Sequence, residues 1–178
     1  MIFEPLAISG AYRIIAEPHR DTRGSFARIY CPEEFTAHAI PFTSTQLNLS
    51  ENLKRCTLRG LHFQEAPHAE AKLIHVIRGR AFDVIVDLRA GSASYGKWVG
   101  IQLDAAAPAA VFAPEGCAHG FLTLADDTAL LYQMGRPYIP GHERGVRWND
   151  PAFGIAWPAA PEMISERDAT WPDFVRTI

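Results

Sequence analysis

Proline and glycine decide what this chain can fold into. Thirteen of each are spread through its 178 residues and cut it into short pieces. Proline removes a helical hydrogen bond and glycine weakens a helix interior, so long helices are disfavoured. Short apolar pieces separated by turn residues favour an all-β sandwich or barrel instead. The clearest strand spans 81–88: Phe82, Val84, Val86 and Leu88 share one face, and Asp83, Ile85 and Asp87 share the other. Gly79-Arg80 before it predicts a tight reversal from a second strand, Lys72–Arg78. Further strands are expected over 25–31, 43–49, Leu58–Gln64, 97–103, 110–113, 120–124 and 128–135. Only 32–38 starts like a helix, with Pro32 in the first turn and Glu33 and Glu34 near the positive end of the dipole. After Tyr138 the chain turns Pro- and Trp-rich, which predicts an irregular C-terminal wrap with a short helix. Neither an internal repeat nor a low-complexity linker divides it, so residues 1–178 are expected to form a single domain.

Composition excludes several function classes. With 48% hydrophobic and 21% charged residues the composition is ordinary for a soluble globular protein and argues against disorder. Its net charge is −3 and its Lys and Arg are scattered, so no basic stripe exists for nucleic acid. No run approaches the ~20 apolar residues that span a bilayer, and no membrane partner is expected. Met1-Ile-Phe-Glu-Pro5 does not read as a secretory leader. Cys31, Cys56 and Cys117 are an odd number without metal-type spacing, which fits reduced thiols in a cytoplasmic protein.

The chemistry gathers in Leu58-Arg-Gly-Leu-His-Phe-Gln64, followed by Lys72 and by His119 in a second block, 114–121. In a regular strand His62 and Gln64 share a face with Gly60, while Arg59 and Leu61 face away. A bend at Gly60 would be needed to bring Arg59 into the same cavity. An Arg and a Gln on the inner face of an apolar strand cost free energy unless they meet a ligand or each other. A histidine base beside fixed cations suggests proton transfer next to a carbonyl. Each residue also has a plainer account: His62 as a satisfied histidine at a barrel mouth, Tyr132 as a strand aromatic, and Lys72 as a solvated charge. Asp168 closes Ser165-Glu-Arg-Asp, a capping-box pattern with Asp in place of the usual Glu or Gln. His19, His38, His68 and His142 lie in polar, loop-like surroundings, and His75 packs within a strand. Asp83 is expected to face inward, beside the site.

In order along the chain, the blocks 21–26, 46–50, Leu58–Gln64, 72–73, 83–89, 114–121, Tyr132, 148–151, 157–158 and 165–168 resemble the dTDP-4-dehydrorhamnose 3,5-epimerase family. The resemblance implies a cupin-type jelly-roll β-barrel with short peripheral helices, usually a homodimer. It implies cofactor-independent inversion of a dTDP-4-keto-6-deoxy sugar at C3 and C5. His62 is then the base, Asp168 its dyad partner, Tyr132 the acid on the opposite face and Lys72 the stabiliser of the enolate oxygen. Arg59 and His119 become substrate-pocket groups, with Arg23, Phe26, Gln46 and Asn48 near the nucleotide.

Other readings compete. A relative could invert only C3 or only C5, or use another nucleotide-diphospho sugar; a catalytically silent sugar-binding barrel would be expected to lack His62 or Tyr132. A metal-dependent cupin oxygenase or isomerase would need two histidines two apart and a nearby carboxylate. Gln64 stands where the second histidine belongs and Lys72 where the acid belongs, so no metal is expected. The chain also departs from the family pattern. Arg28 replaces a usual Glu, Cys56 a turn glycine, and Cys117 an aromatic.

Overall fold

The computed structural model describes residues 1–176, and its regular secondary structure is almost entirely antiparallel strand. One sheet contains six strands in the order β1 (Ile2–Pro5), β2 (Tyr12–Ile15), β10 (Ala109–Ala113), β7 (Lys72–Arg78), β12 (Thr128–Met134) and β5 (Gln46–Asn52). The second contains β13 (Glu143–Gly145), β6 (Leu58–Gln64), β11 (Cys117–Thr123), β8 (Arg80–Asp87) and β9 (Trp98–Asp104). A separate ribbon pairs β3 (His19–Asp21) with β4 (Gly24–Phe26). Two short helices complete the set, α1 (Pro32–Ala37) and α2 (Glu166–Ala169).

The alternation read from 81–88 sorts the side chains of β8 as expected. Ala81 and Ile85 join Ile74, Val111, Phe121 and Leu130 between the two sheets. Val84 and Val86 point outward and are covered by Val146 and Phe153, with Trp148 and Trp157 packed alongside from the C-terminal wrap. On the outer face of the larger sheet, Phe35 of α1 packs with Phe42 and Phe112. Fully burying an apolar side chain of this size contributes about 1.5–3 kcal/mol, so these layers supply the main driving force. The result is a jelly roll of the cupin type.

Three local expectations change. Gly79, at φ +73°, does not close a hairpin. The chain crosses there from one sheet to the other, since β7 pairs with β10 and β12 while β8 pairs with β9 and β11. The strand expected over 25–31 stops at Phe26, which pairs with His19. Pro18, next on the partner strand, has no N–H to extend the ladder. The strand expected at 43–49 is shifted to Gln46–Asn52, because its register is set by pairing with Thr128–Met134.

Candidate active site

A cavity of about 770 Å³ opens between the sheets, lined by β5, β6, β7, β11, β12, β13 and α2. Arg59, His62, Lys72, His119, Tyr132 and Asp168 all line it, as do Gln46 and Asn48. Arg59 gets there through the bend at Gly60. His62 pairs with His119, and Arg59 pairs with Phe121, so three steps on β6 match two on β11. This extra residue is a bulge, and it reverses the alternation that would have turned Arg59 away. Gly60 has φ +118°, and a Cβ there would lie 2.6 Å from Gly120 Cα. Only glycine fits both constraints.

His62 Nε2 lies 2.6 Å from Asp168 Oδ1, and the second oxygen of Asp168 accepts the Gly60 N–H at 3.1 Å. Burial alone would raise the Asp168 pKa, but the hydrogen bonds from His62 and Gly60 outweigh it and hold the carboxyl below its usual value. Asp168 sits on α2, where its own N–H donates to the Ser165 hydroxyl at 3.1 Å. Half of the expected capping box therefore forms. The acid that would have closed the other half turns to His62 instead.

A second pair lies deeper. His119 Nε2 is 2.7 Å from Asp83 Oδ2, with side-chain exposures of only 3% and 0%. Tyr132 stands edge-on to His119, ring centres 5.7 Å apart. Burial and the negative charge of Asp83 push the Tyr132 pKa well above 10, with Arg59 opposing. The phenol is therefore protonated at neutral pH and available as a proton donor. It enters from the six-stranded sheet, whereas His62 enters from the five-stranded one.

Lys72 is buried. Its ammonium contacts Glu70 at 3.0 Å and donates to the His62 carbonyl at 2.7 Å, which leaves one of its three donors for a ligand. The Gln64 side chain is engaged by the protein itself. Its amide donates to the His68 and Pro137 carbonyls and accepts from Ile139 N–H, tying two loops to the cavity rim. Gln46 donates to Asn48 at 2.9 Å and accepts from Tyr138 N–H. Arg23 and Phe26 do not line this cavity; both are exposed on the β3–β4 ribbon. Arg28 pairs with Glu34 of α1 at 2.8 Å. Among the described residues, no three His, Cys, Asp or Glu side chains gather as a metal-binding group.

Glu70, Tyr138, Glu143 and Arg167 also line the cavity and carried no signal that sequence spacing could detect. Glu70 lies two residues before Lys72, but only its burial shows that the two form an internal ion pair. Burial alone pulls the pKa of His75 down to about 4, in keeping with a packed strand histidine. Burial also pushes the Cys117 thiol up to about 12, so it is not a nucleophile. Cys56 occupies a left-handed conformation at φ +58°, the conformation a turn glycine adopts without strain.

This jelly roll is an enzyme of the isomerase class, one that acts on carbohydrates. More narrowly, residues 5–176 match the family model of dTDP-4-dehydrorhamnose 3,5-epimerase, and the chain belongs to that family. It is 40% identical over 175 residues to a dTDP-4-dehydrorhamnose 3,5-epimerase of Sinorhizobium fredii, covering 98% of this chain and 90% of the relative. It is 41% identical over 170 residues to a dTDP-4-dehydrorhamnose 3-epimerase of Streptomyces niveus, covering 94% and 81%. The solved structure of the 3,5-epimerase from Elizabethkingia anophelis superposes with a TM-score of 0.92 at 33% identity, covering 98% and 96%. No helix among the described residues is long and apolar enough to cross a membrane.

Proposed function

We propose that this chain inverts dTDP-4-dehydro-6-deoxy-D-glucose at C3 and C5, giving dTDP-4-dehydro-L-rhamnose, without a cofactor. The observation that carries this reading is the entry of His62 and Tyr132 into one cavity from opposite sheets. Inversion needs a proton removed from one face of the sugar ring and returned to the other. His62, oriented by Asp168, takes the proton from the carbon next to the keto group, and the carboxylate stabilises the imidazolium that forms. The remaining donor of Lys72 meets the enolate oxygen, where charge grows during proton removal. Tyr132 returns a proton from the other wall. His119, Gln46 and Asn48 position the substrate.

Arg59, Lys72 and Arg167 are the lysines and arginines of the cavity wall. Lys72 pairs with Glu70 and Arg167 with Glu143, whereas Arg59 has no carboxylate ion partner among the described residues. A guanidinium left unpaired in this way suits the diphosphate. Arg23 and Phe26, exposed and away from the cavity, join the nucleotide site if the protein works as a cytoplasmic homodimer whose second copy supplies the ribbon.

The similarity to a 3-epimerase favours a second reading, inversion at C3 alone. Both readings are tested in D₂O by following deuterium at C3 and C5 in wild type, Tyr132→Phe and His62→Asn. Wild type labels and inverts both carbons; label at C3 only selects the second reading. Tyr132→Phe retains exchange but loses inversion, by about 10²–10⁴-fold. His62→Asn loses both. Full inversion by Tyr132→Phe, or full exchange by His62→Asn, refutes the assigned roles.

A further inference from the structure

Arg59 is held by an amide rather than by a carboxylate. Its Nε donates to Asn52 Oδ1 at 2.8 Å, and Asn52 is 3% exposed at the end of β5. The Asn52 amide has no freedom to turn over. Its Nδ2 donates to the Thr128 carbonyl at 3.1 Å, a group that can only accept, so Oδ1 must face Arg59. Nδ2 also approaches the Ser50 hydroxyl at 3.3 Å. On the other side, Arg59 Nη2 has only a long contact, 3.4 Å, to the Glu51 carbonyl. Among the described residues Nη1 has no hydrogen-bond partner, and the outer edge that it forms with Nη2 carries only that long contact. That edge is the fork that matches two oxygens of a phosphate.

We infer that Asn52 is a positioning residue for anion binding: it orients Arg59 toward the diphosphate of the ligand while leaving the arginine's charge uncancelled. The inference rests on the proposed role of Arg59. A carboxylate at position 52 would hold the same nitrogen but pair off the charge, as Glu70 does for Lys72 and Glu143 for Arg167. A neutral acceptor does the first without the second. The placement follows from the strand. Gln46, Asn48 and Ser50 of β5 line the cavity at alternate positions, and Asn52 continues the same face into the interior. It is the buried rung of a polar ladder whose other rungs line the cavity directly.

The test is the affinity for dTDP, measured by calorimetry on Asn52→Ala, Asn52→Asp, Arg59→Ala and the Asn52→Ala/Arg59→Ala pair. Arg59→Ala weakens dTDP binding by roughly ten- to a hundredfold, the range expected for a lost charge-assisted contact. Asn52→Ala weakens it by about tenfold. In turnover with the sugar nucleotide it raises KM by more than it lowers kcat, a split that general loss of structure does not give. The double variant binds no more weakly than Arg59→Ala alone, because Asn52 acts only through Arg59. Asn52→Asp keeps the acceptor but loses affinity for dTDP, and it carries the test alone should Asn52→Ala fail to fold. Wild-type affinity in Asn52→Asp, or losses that multiply in the double variant, overturn the inference. Wild-type dTDP affinity in Arg59→Ala is a distinct outcome. It removes the underlying assignment of Arg59, and the role of Asn52 falls with it.

Discussion

His119 and Asp83 meet across neighbouring strands of one sheet, whereas His62 meets a carboxylate 106 residues away on a four-residue helix. The two contacts are nearly equal in length, 2.7 and 2.6 Å. Their surroundings are not. The His119 side chain is 3% exposed and its partner 0%; the His62 side chain is 29% exposed toward the cavity, with its partner at 6%. A histidine with so little exposure can orient a neighbour at the cavity wall, but it exchanges protons poorly. One that opens on the cavity can take a proton from a ligand and release it. Hydrogen bonds of equal length therefore sit in unequal surroundings, and of the two histidines it is His62 that presents substantial surface to the cavity.

Replacing each acid by its amide should separate the two pairs. Asp168→Asn keeps the shape but removes the charge that stabilises the imidazolium of His62. We expect kcat to fall by about 10²–10⁴-fold with little change in thermal stability. An Asp168→Asn enzyme of near wild-type kcat would break the comparison at its functional end. Asp83→Asn should behave in the opposite sense. It leaves a buried histidine without its charged partner, so unfolding in urea should show a loss of about 1–3 kcal/mol, with a smaller drop in kcat than Asp168→Asn. Should Asp83→Asn prove as stable as wild type, the deep pair is not the structural one.

The smallest effect concerns the tether. Ser165 caps the helix that presents Asp168, and Ser165→Ala should cost about 1 kcal/mol, confined to that end of the wrap. Because the lost cap loosens the acid rather than removing it, kcat/KM should fall by about fivefold or less. Hydrogen exchange that rises around residues 165–170 with β8 and β11 unaffected would sharpen the contrast between a helix-borne acid and a strand-borne one. Uniform acceleration across both sheets would erase it.

Much of this contrast was readable in the chain before folding. The period-two pattern of 81–88 correctly turned Asp83 inward, and Ser165-Glu-Arg-Asp correctly marked a capped helix start. Pattern alone does not give the partner of each acid; the pairing of Asp168 with His62 came from the family resemblance. Nothing within ten residues of Asp168 tells that its side chain reaches across to His62 instead of back to its own helix.

The sequence by itself determined the strand-rich architecture, the short helix at Pro32 and the family. Those features rest on local rules: side-chain alternation, turn residues, caps, and motifs contiguous in the chain. Strand alternation by itself turns Arg59 away from His62, and the tertiary structure decided otherwise, since one bulged residue at Gly60 reverses which way every side chain before it points. It alone also decided that Lys72 is buried against Glu70, that Arg59 is held by Asn52, and that Arg23 and Phe26 lie outside the cavity. Contacts of this kind depend on register between strands distant in sequence, and a one-residue slip in register changes every neighbour while leaving local propensity the same.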